Sequence, residues 1–446
     1  MTTLERRATI SIASVFGFRM LGLFMVLPVI AIATGDYPDF TPLMLGVVLG
    51  AYGLTQAILQ IPLGLLSDNI GRKPVIMGGL VVFILGSFVA AIADTMFGLM
   101  LGRALQGMGA IASTLMAMVT DYTAEQNRSK AMAMIGGSIG FSFILAMMLG
   151  PLVTGVFGLS GIFWLTAVLG FLGILVVQLV IPKTSKTNFN RESMADLQDI
   201  SALLKDPTLQ RLNVGVFALH FALMAVFIGV PSILANEVGV TGSDLPWVYL
   251  GLLGGGFFLM LPMMIMSEKF AMQKSAFLVA VMVMALSAFC LTFGRTSLIT
   301  LTLLLLFFAA FNLLEASLPS WLSKACPVGN RGTAMGVYST CQFLGAFAGG
   351  LIGGWSMQKY GLNGVFGSVA CMLLVWWVFA LGLQSPRPLK TLVLAVGDIE
   401  HQEFLKIISN VVGVEDILLV EGEHLAYVQV DRLVVDMNSL QPYLNR

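Results

Sequence analysis

The chain contains 446 residues, of which 57% are hydrophobic and only 11% are charged. Soluble globular proteins usually carry about 25% charged residues, so this composition excludes an ordinary soluble protein. The formal net charge is zero, and we expect membrane lipid rather than nucleic acid as the surroundings of this chain. The composition therefore predicts an integral membrane protein.

Apolar stretches long enough to cross the roughly 30 Å hydrocarbon core of a bilayer recur along the chain. Isolated strands cannot satisfy their backbone groups in lipid, so we interpret these stretches as helices. The twelve predicted spans lie near residues 8–33, 43–66, 75–94, 97–121, 131–157, 162–182, 210–235, 245–266, 275–294, 297–322, 333–356 and 363–384. The sequence thus predicts an all-α membrane protein with twelve transmembrane helices in two six-helix halves.

The distribution of Lys and Arg among the loops predicts how these helices are oriented. Seventeen of these residues lie in loops on the side of the N-terminus, and two lie in loops on the other side. Because positively charged loops stay on the cytoplasmic side of a membrane, we expect both termini in the cytoplasm.

A long polar connection divides the spans into two halves. We expect an N-terminal bundle at 1–182, a cytoplasmic linker at 183–209 and a C-terminal bundle at 210–386. The stretch "NRSKAMAM" from Asn127 is echoed by "NRGTAMGV" from Asn330, at an interval of 203 residues that also relates Gly150 to Gly353. Such an interval indicates that the two halves are duplicated.

The tail at 387–446 has a different composition and is predicted to be a cytoplasmic domain. The stretches "TLVLAV", "VEDILLV" and "HLAYVQVD" are typical of strands, with a turn at Glu421-Gly422, and "IEHQEFLKIISNVVG" and "MNSLQPYLN" are typical of helices. This order predicts a small ferredoxin-like α+β module without its last strand. The tail also resembles heavy-metal-associated domains, but "GDIEHQEF" replaces their CxxC, so we expect no metal site. A ligand or protein partner of the tail is not identified by the sequence.

Three charged residues, Asp68, Arg72 and Lys73, lie together between the second and third spans. Asp68 is near a helix C-terminus, where an anion is disfavoured by about 0.3–1 kcal/mol, and Asp121 has the same position on the fourth span. We therefore expect a charge cluster at this end of the bundle. Such charges also serve simply to set membrane topology, and physical reasoning alone leaves both interpretations open.

Two glycines of the same stretch have separate predicted roles. Gly71 allows a tight turn after the second span, because glycine adopts conformations that other residues avoid. Gly64 lets a neighbouring helix approach closely.

The stretch "GLLSDNIGRKP" from Gly64 resembles the G-x-x-x-D-x-x-G-R-K signature of the major facilitator superfamily. The resemblance covers residues 1 to about 386 and implies a secondary active transporter that works by alternating access. It further implies that Asp68 faces the backbone at 332–335, that Arg72 pairs with Asp121, and that the cluster closes the cytoplasmic side. It also implies a bacterial inner-membrane location.

A second resemblance concerns the fifth span. Gly150 and Pro151 partly match the antiporter motif of the superfamily, although the Gly-Gly expected after it is not intact. Gly137, Gly140, Gly150 and Gly155 are spaced for close helix packing. An ordinary glycine-lined helix interface is the alternative interpretation.

Four ionisable residues lie within the predicted spans, where charges are costly and usually functional. They are Arg19, Arg103, His220 and Glu315. Glu315 is the only carboxylate well inside a span, and we interpret it as the proton carrier. His220 and Arg19 are candidates to modulate it, and His220 is alternatively a packing residue. Arg103 in "GRALQG" matches a signature Arg of the superfamily that is associated with proton coupling, and is alternatively part of a structural ion pair.

These observations predict a proton-coupled antiporter that exports small amphiphilic or drug-like molecules, with protons as coupling ion and no cofactor. The alternatives are a transporter of one specific metabolite, and a non-transporting membrane sensor that acts through its C-terminal domain. Candidate hydrogen-bonding residues for the substrate pocket are Tyr52, Gln56, Gln60, Gln106, Asn312 and Gln342. No nucleophile grouping, metal-ligand spacing or phosphate-binding loop occurs, so we expect no enzyme activity and no metal site.

Overall fold

The computed structural model describes residues 1–181, 204–240, 242–270, 272–293, 296–326, 331–385, 389–396, 401–420, 425–431 and 434–444. Most of the expected linker at 183–209 and the expected turn at Glu421-Gly422 therefore lie outside the described residues, as does His424. The described part consists mainly of long apolar helices, followed by a small domain that contains a sheet.

The helices of the first half begin and end at residues that the sequence marks. Thr2 caps the first helix and exchanges hydrogen bonds with Glu5, while Thr41 caps the third helix ahead of Pro42. The helices are α1 (Thr3–Phe24), α2 (Ile30–Ala33), α3 (Pro42–Ile70), α4 (Arg72–Ala91), α5 (Met96–Met108), α6 (Ala112–Tyr122) and α7 (Glu125–Leu175).

In the described part, the second half contains five α-helices of 18 residues or more. Asp206 caps the first of them by accepting hydrogen bonds from the backbone of Thr208 and Leu209. They are α8 (Pro207–Ile233), α9 (Leu245–Lys269), α10 (Gln273–Cys290), α11 (Ser297–Ala325) and α12 (Arg331–Ala380). One turn of π-helix extends α7 over Val176–Val180, and another extends α8 over Leu234–Val238.

Nine helices in the described part are long and apolar enough to cross a membrane. The number is lower than the twelve predicted spans because α7 and α12 each contain two of those spans, joined at Gly158 (φ 68°) and Gly361 (φ 64°). The fourth predicted span is divided between α5 and α6, around the non-helical Gly109. The first span is interrupted after Phe24, close to Pro28, which cannot donate a backbone hydrogen bond.

Glycines bring α3 and α12 into close backbone contact. A Cβ atom at Gly46 would overlap the carbonyl oxygen of Gly350, and one at Gly53 would lie 2.7 Å from the carbonyl oxygen of Phe343. At the same end of α3, the backbone N–H of Leu43 donates a hydrogen bond to Gln358 Oε1 at 3.3 Å. The first half of α3 therefore packs against residues 343–358 of α12, and this contact joins the two halves of the protein.

The C-terminal domain has its own small core. Its strands β1 (Leu389–Ala395), β2 (Val414–Val420) and β3 (Leu425–Asp431) form an antiparallel sheet in the order β1-β3-β2. Two short helices, α13 (His401–Ser409) and α14 (Met437–Leu440), complete it, and Phe404 and Ile408 of α13 are fully buried. The strands and the first helix lie where the sequence predicts them.

Candidate functional site

A charge cluster lies where α3 ends and α4 begins. Arg72 pairs with Asp68 and also approaches Asp121 at the end of α6, with 3.2 Å between Arg72 Nε and Asp121 Oδ2. Arg72 also donates to Ser67 Oγ at 2.6 Å. The guanidinium therefore places a positive charge between two carboxylates, each near a helix C-terminus that would otherwise disfavour it.

The turn between α3 and α4 positions this cluster. Gly71 has φ 94°, a region that favours glycine, and Arg72 is the first residue of α4. Lys73 donates to the carbonyl oxygen of Ile181 at 2.7 Å, which ties the turn to the end of the first half. A Cβ atom at Gly64 would lie 3.2 Å from Ser113 Oγ, so this position packs closely on α6.

The described ion pair of Asp68 is with Arg72. Its expected contact with the backbone at 332–335 stays a prediction. The contacts described above between α3 and α12 lie at the other end of α3, near Leu43 and Gln358. The two halves are therefore closed at the end of α3 that lies near Leu43 and Gln358, which we call the Gln358 end. The end that carries the charge cluster is called the Arg72 end.

His220 of α8 connects α11 and α12. Its Nδ1 lies 3.1 Å from the carbonyl oxygen of Val216, and its Nε2 lies 2.7 Å from Nε2 of Gln342. Glu315 Oε2 lies 3.8 Å from the same His220 Nε2. The His220 side chain is 9% exposed and that of Glu315 is 39% exposed. The structure therefore places the predicted proton carrier beside the predicted histidine, with the carboxylate half-buried.

Arg19 of α1 is buried in the first half. It donates a hydrogen bond to Gln56 Oε1, and Gln56 Nε2 in turn donates to Gln60 Oε1 at 3.0 Å. Its guanidinium carbon lies 5.8 Å from the ring centre of Tyr52 and 5.9 Å from that of Phe83. Arg19 is 1% exposed, so its charge is held among amides and aromatic rings.

Arg103 of α5 has a similar environment and is fully buried. Its NH1 donates to Gln106 Oε1 at 2.9 Å, and Gln106 Nε2 donates to Ser87 Oγ at 2.9 Å. The Arg103 guanidinium carbon lies 5.0 Å from the ring centre of Tyr52. Arg103 is thus held by neutral groups in the described part of the chain, and the structural ion pair considered from the sequence is absent there.

Tyr52 is the residue that brings Arg19 and Arg103 together, and it also touches the second half. Its ring lies 6.2 Å from the ring of Phe343, the residue that follows Gln342 on α12. The structure therefore forms two clusters, the arginine cluster (Arg19, Tyr52, Arg103) and the His220–Glu315 pair, connected through two consecutive residues of α12. The sequence indicated Tyr52 and Gln342 as polar pocket residues, but Phe343 and Ser87 carried no signal beyond their residue types.

The glycine-rich fifth span behaves differently from its prediction. A Cβ atom at Gly150 would overlap the carbonyl oxygen of Met25 and lie 3.0 Å from Pro28, so Gly150 packs on the interruption after α1. Gly137, Gly140 and Gly155 face open space, with no atom within 4 Å of a Cβ placed there. The expectation that all four glycines serve close packing is wrong for these three, because no described residue packs against them in this conformation.

Long apolar helices that enclose ionisable residues, and two halves that meet through glycines, are features of a helical membrane protein. The family model of the Major Facilitator Superfamily matches residues 11–229 and 212–412, and the chain belongs to this superfamily. Its members are transporters, so the chain is not an enzyme.

Named relatives agree with this assignment. The inner membrane transport protein YajR of Escherichia coli K12 is 43% identical over 444 residues, covering 99% of this chain and 98% of that protein. The quinolone resistance protein NorA of Staphylococcus aureus strain COL is 26% identical over 75% of this chain and 86% of its own length.

One solved structure with the same fold is that of a bacterial homologue of the human lysosomal transporter Spinster, in an inward-facing and occupied conformation. It has a TM-score of 0.70 at 12% identity and covers 85% of this chain and 97% of that chain. This likeness concerns the fold.

Proposed function

We propose that the protein is a proton-coupled antiporter that exports small amphiphilic or drug-like molecules by alternating access. The observation that carries the proposal is the position of His220, whose Nε2 faces both Gln342 and Glu315. Histidine and carboxylate side chains both bind and release protons, and ionisable groups enclosed by membrane helices often belong to proton or substrate pathways.

The geometry links the protonation of His220 to its partner on α12. The carbonyl of Val216 only accepts hydrogen bonds, so Nδ1 of His220 carries a proton and, in the neutral ring, Nε2 is the acceptor. The Gln342 amide donates to that nitrogen. A second proton on Nε2 makes this nitrogen a donor. It then favours a charge-assisted hydrogen bond to the carboxylate of Glu315 and no longer accepts the hydrogen bond from the Gln342 amide nitrogen. Proton binding thereby changes what holds α12 against α8.

Arg19 and Arg103 take part in this proposal only through their charge. An arginine side chain stays protonated in proteins, so neither residue is a proton carrier. Their positive charges lie in the first half, which meets the second half where Tyr52 packs on Phe343.

The charge cluster is proposed to be the conformational switch. Asp68, Arg72 and Asp121 stabilise the Arg72 end, and contact of Asp68 with the start of α12 would close that end when the Gln358 end opens. The positively charged loops favour the Arg72 end as the cytoplasmic one, with both termini on that side of a bacterial inner membrane. The structure, closed at the Gln358 end, then corresponds to an inward-facing state.

The remaining assignments support this arrangement. Positive φ at Gly158 and Gly361 and the break at Gly109 favour twelve membrane crossings. The sheet order β1-β3-β2, with α13 between β1 and β2, supports a ferredoxin-like module without its last strand, and Leu444 pairs with Leu394 at the free edge of β1. We propose bundle boundaries at 182 and 210 and a cytoplasmic tail from 387.

The test uses purified full-length protein in liposomes that contain a pH-sensitive dye. Addition of a quinolone, the compound class in the name of one relative, is expected to release internal protons, and Glu315→Gln is expected to abolish the release. Glu268→Gln, at the exposed end of α9, is the matched control and should release protons normally. An unchanged response in Glu315→Gln would refute the proton assignment.

Two other functions remain as outcomes of the same work. Transport of a single compound without proton movement would identify a specific metabolite transporter. Deletion of residues 389–446 that removes the cellular phenotype while liposome transport persists would favour a sensor that acts through its C-terminal domain.

A further inference from the structure

The arginine cluster contains more hydrogen-bond donors than the protein satisfies. Among the described residues, no acceptor binds Nε or NH1 of Arg19, Nε or NH2 of Arg103, or the Tyr52 hydroxyl, and all five atoms are buried. Arg19 and Arg103 each make one hydrogen bond, and in both cases the partner is a neutral glutamine. Two full positive charges are therefore enclosed without a carboxylate within ion-pair distance in the described part of the chain.

Burying two unpaired charges lowers the stability of the fold unless another group compensates them. The aromatic rings of Tyr52 and Phe83 attract guanidinium groups, but this attraction is weak compared with the loss of hydration. Guanidinium groups bind carboxylate, sulfonate and phosphate oxygens with two parallel hydrogen bonds, and each arginine retains two free nitrogens. A bound anion would satisfy both the charges and the donors, whereas water would satisfy only the donors.

The neighbouring side chains hold the arginines in place. Gln56 is fixed by Gln60, and Gln106 is fixed by Ser87. Because both glutamines are buried and already hydrogen-bonded, the orientation of each guanidinium is set before any ligand binds. The rings of Tyr52, Phe83 and Phe343 provide an apolar surface around this charged centre.

We propose that Arg19 and Arg103, gathered around Tyr52, form a binding site for the anionic group of an amphiphilic aromatic molecule. The aromatic part of that molecule packs against Tyr52, Phe83 and Phe343. Taking this molecule as the transported substrate rests on the proposed function, whereas the anion site itself does not.

The site is closed in this conformation. Tyr52 is 2% exposed and Phe343 is 7% exposed, and their contact joins α3 to α12. Separation of α12 from α3 at this point opens the arginine cluster. Since Gln342 next to Phe343 binds His220, the segment that covers the anion site is the one that protonation of His220 is proposed to release.

The experiment compares two probes of the same shape and opposite charge. The full-length protein in detergent is heated with naphthalene-2-sulfonate or with 2-naphthyltrimethylammonium, and its melting temperature and the affinity from calorimetry are measured. The sulfonate is expected to raise the melting temperature saturably, and the ammonium compound is not. Equal shifts with both probes would overturn the proposal.

Variants then locate the site. Arg103→Met and Arg19→Met are each expected to weaken sulfonate binding by about tenfold or more, because each removes charge-assisted hydrogen bonds. Arg103→Lys keeps the positive charge but loses the two parallel donors of the guanidinium group, so it is expected to bind the sulfonate with intermediate affinity. This variant remains informative if a methionine variant fails to fold. The control is Arg211→Met, at a separate cavity of 360 Å³ lined by Gln210, Arg211 and Phe379, and it should bind like the unmodified protein. Unchanged affinity in Arg103→Met and Arg19→Met would mean that the arginine cluster holds water only.

The outcomes separate this inference from the proposed function. Glu315→Gln is expected to bind the sulfonate normally while it loses proton release. Sulfonate binding that needs both arginines, without any proton movement in liposomes, would refute the antiporter and retain the anion site. Proton release that persists undiminished in both methionine variants, with no sulfonate binding in any protein, would refute the anion site and retain the antiporter.

Discussion

The side-chain amide of Gln342 and the imidazole of His220 meet at 2.7 Å across the interface of α12 and α8. The next residue on α12, Phe343, packs on Tyr52 of the other half. Two consecutive residues of α12 therefore contact His220 on one side and the first half of the protein on the other.

Replacement of Gln342 by leucine is expected to shift the pH dependence of proton-coupled flux. The variant removes the donor that stabilises the neutral ring of His220, so the protonated ring is relatively favoured. One lost hydrogen bond is worth about 0.5–1.5 kcal/mol, and proton-coupled flux should therefore persist to higher pH in the variant than in the unmodified protein. Flux in liposomes measured across the pH range tests this, with Gln178→Leu, at an exposed position of the first half, as control. An unchanged pH profile in Gln342→Leu would contradict the proposed link.

Loss of Arg72 is expected to leave Asp68 and Asp121 as two carboxylates at helix C-termini without their shared cation. Arg72→Ala and Asp68→Asn should therefore weaken closure of the Arg72 end and raise the population that is open there. The measurement is labelling of single reporter cysteines, at residue 65 near the Arg72 end and residue 43 near the Gln358 end, in a cysteine-free background. The control is Asn69→Ala, on an exposed side of the same helix. If labelling ratios in Arg72→Ala and Asp68→Asn equal the control, the cluster only sets membrane topology.

The glycine contact at the Gln358 end gives a second, opposite way to shift the conformations. Gly46→Ala places a methyl group against the carbonyl oxygen of Gly350, so α3 and α12 cannot approach as they do here. Reporter labelling is expected to increase at residue 43 and decrease at residue 65. Gly78→Ala is the matched control, because a Cβ atom there has no neighbour within 4 Å. Identical labelling in both variants would show that the closed contact is not required.

The hydrogen bonds of Asp39 predict that the stability of the protein decreases at acid pH. Its carboxylate accepts hydrogen bonds from the backbone N–H groups of Met96 at 2.8 Å and Phe97 at 3.0 Å, at the start of α5. The hydrogen bond from Met96 has the largest effect on the pKa of Asp39, and together with that from Phe97 it holds this pKa below its usual range, although burial opposes it. This contribution to stability is complete above the unfolded-state pKa of about 3.9 and is lost as the pH falls through the lower folded-state pKa.

Asp39→Asn should remove that part of the pH dependence. The melting temperature of the full-length protein between pH 6 and pH 3 is the measurement, and the unmodified protein should lose more on acidification than the variant. Asp36→Asn, in the same loop, should behave like the unmodified protein. Parallel curves for the unmodified protein and Asp39→Asn would show that the hydrogen bonds accepted by Asp39 make no pH-dependent contribution to stability.

Parts of this structure could be predicted from short sequence patterns or from the resemblance to the superfamily. The Arg72–Asp121 pair was expected from the superfamily signature, and the strands of the C-terminal domain follow from alternating apolar residues. The division of α5 from α6 and the break after Phe24 were not expected, since a long apolar run gives no sign of where packing interrupts it. The partner of a buried charge also depends on tertiary packing. For this reason Arg103 was considered for a structural ion pair, while the structure pairs it with the Gln106 amide and the Tyr52 ring.

Gly158 and Gly361 are separated by 203 residues, the interval that relates the two halves of the sequence, and both have φ between 60° and 70°. The duplication predicted from the sequence therefore extends to a positive-φ glycine between two helical segments in each half. Each of these glycines has open space where a side chain would lie, so an alanine there tests backbone strain alone. Gly158→Ala in one half consequently has a geometrically equivalent counterpart, Gly361→Ala, in the other. Unequal effects of the two variants on transport would measure how far the two halves differ in their contribution to the conformational change.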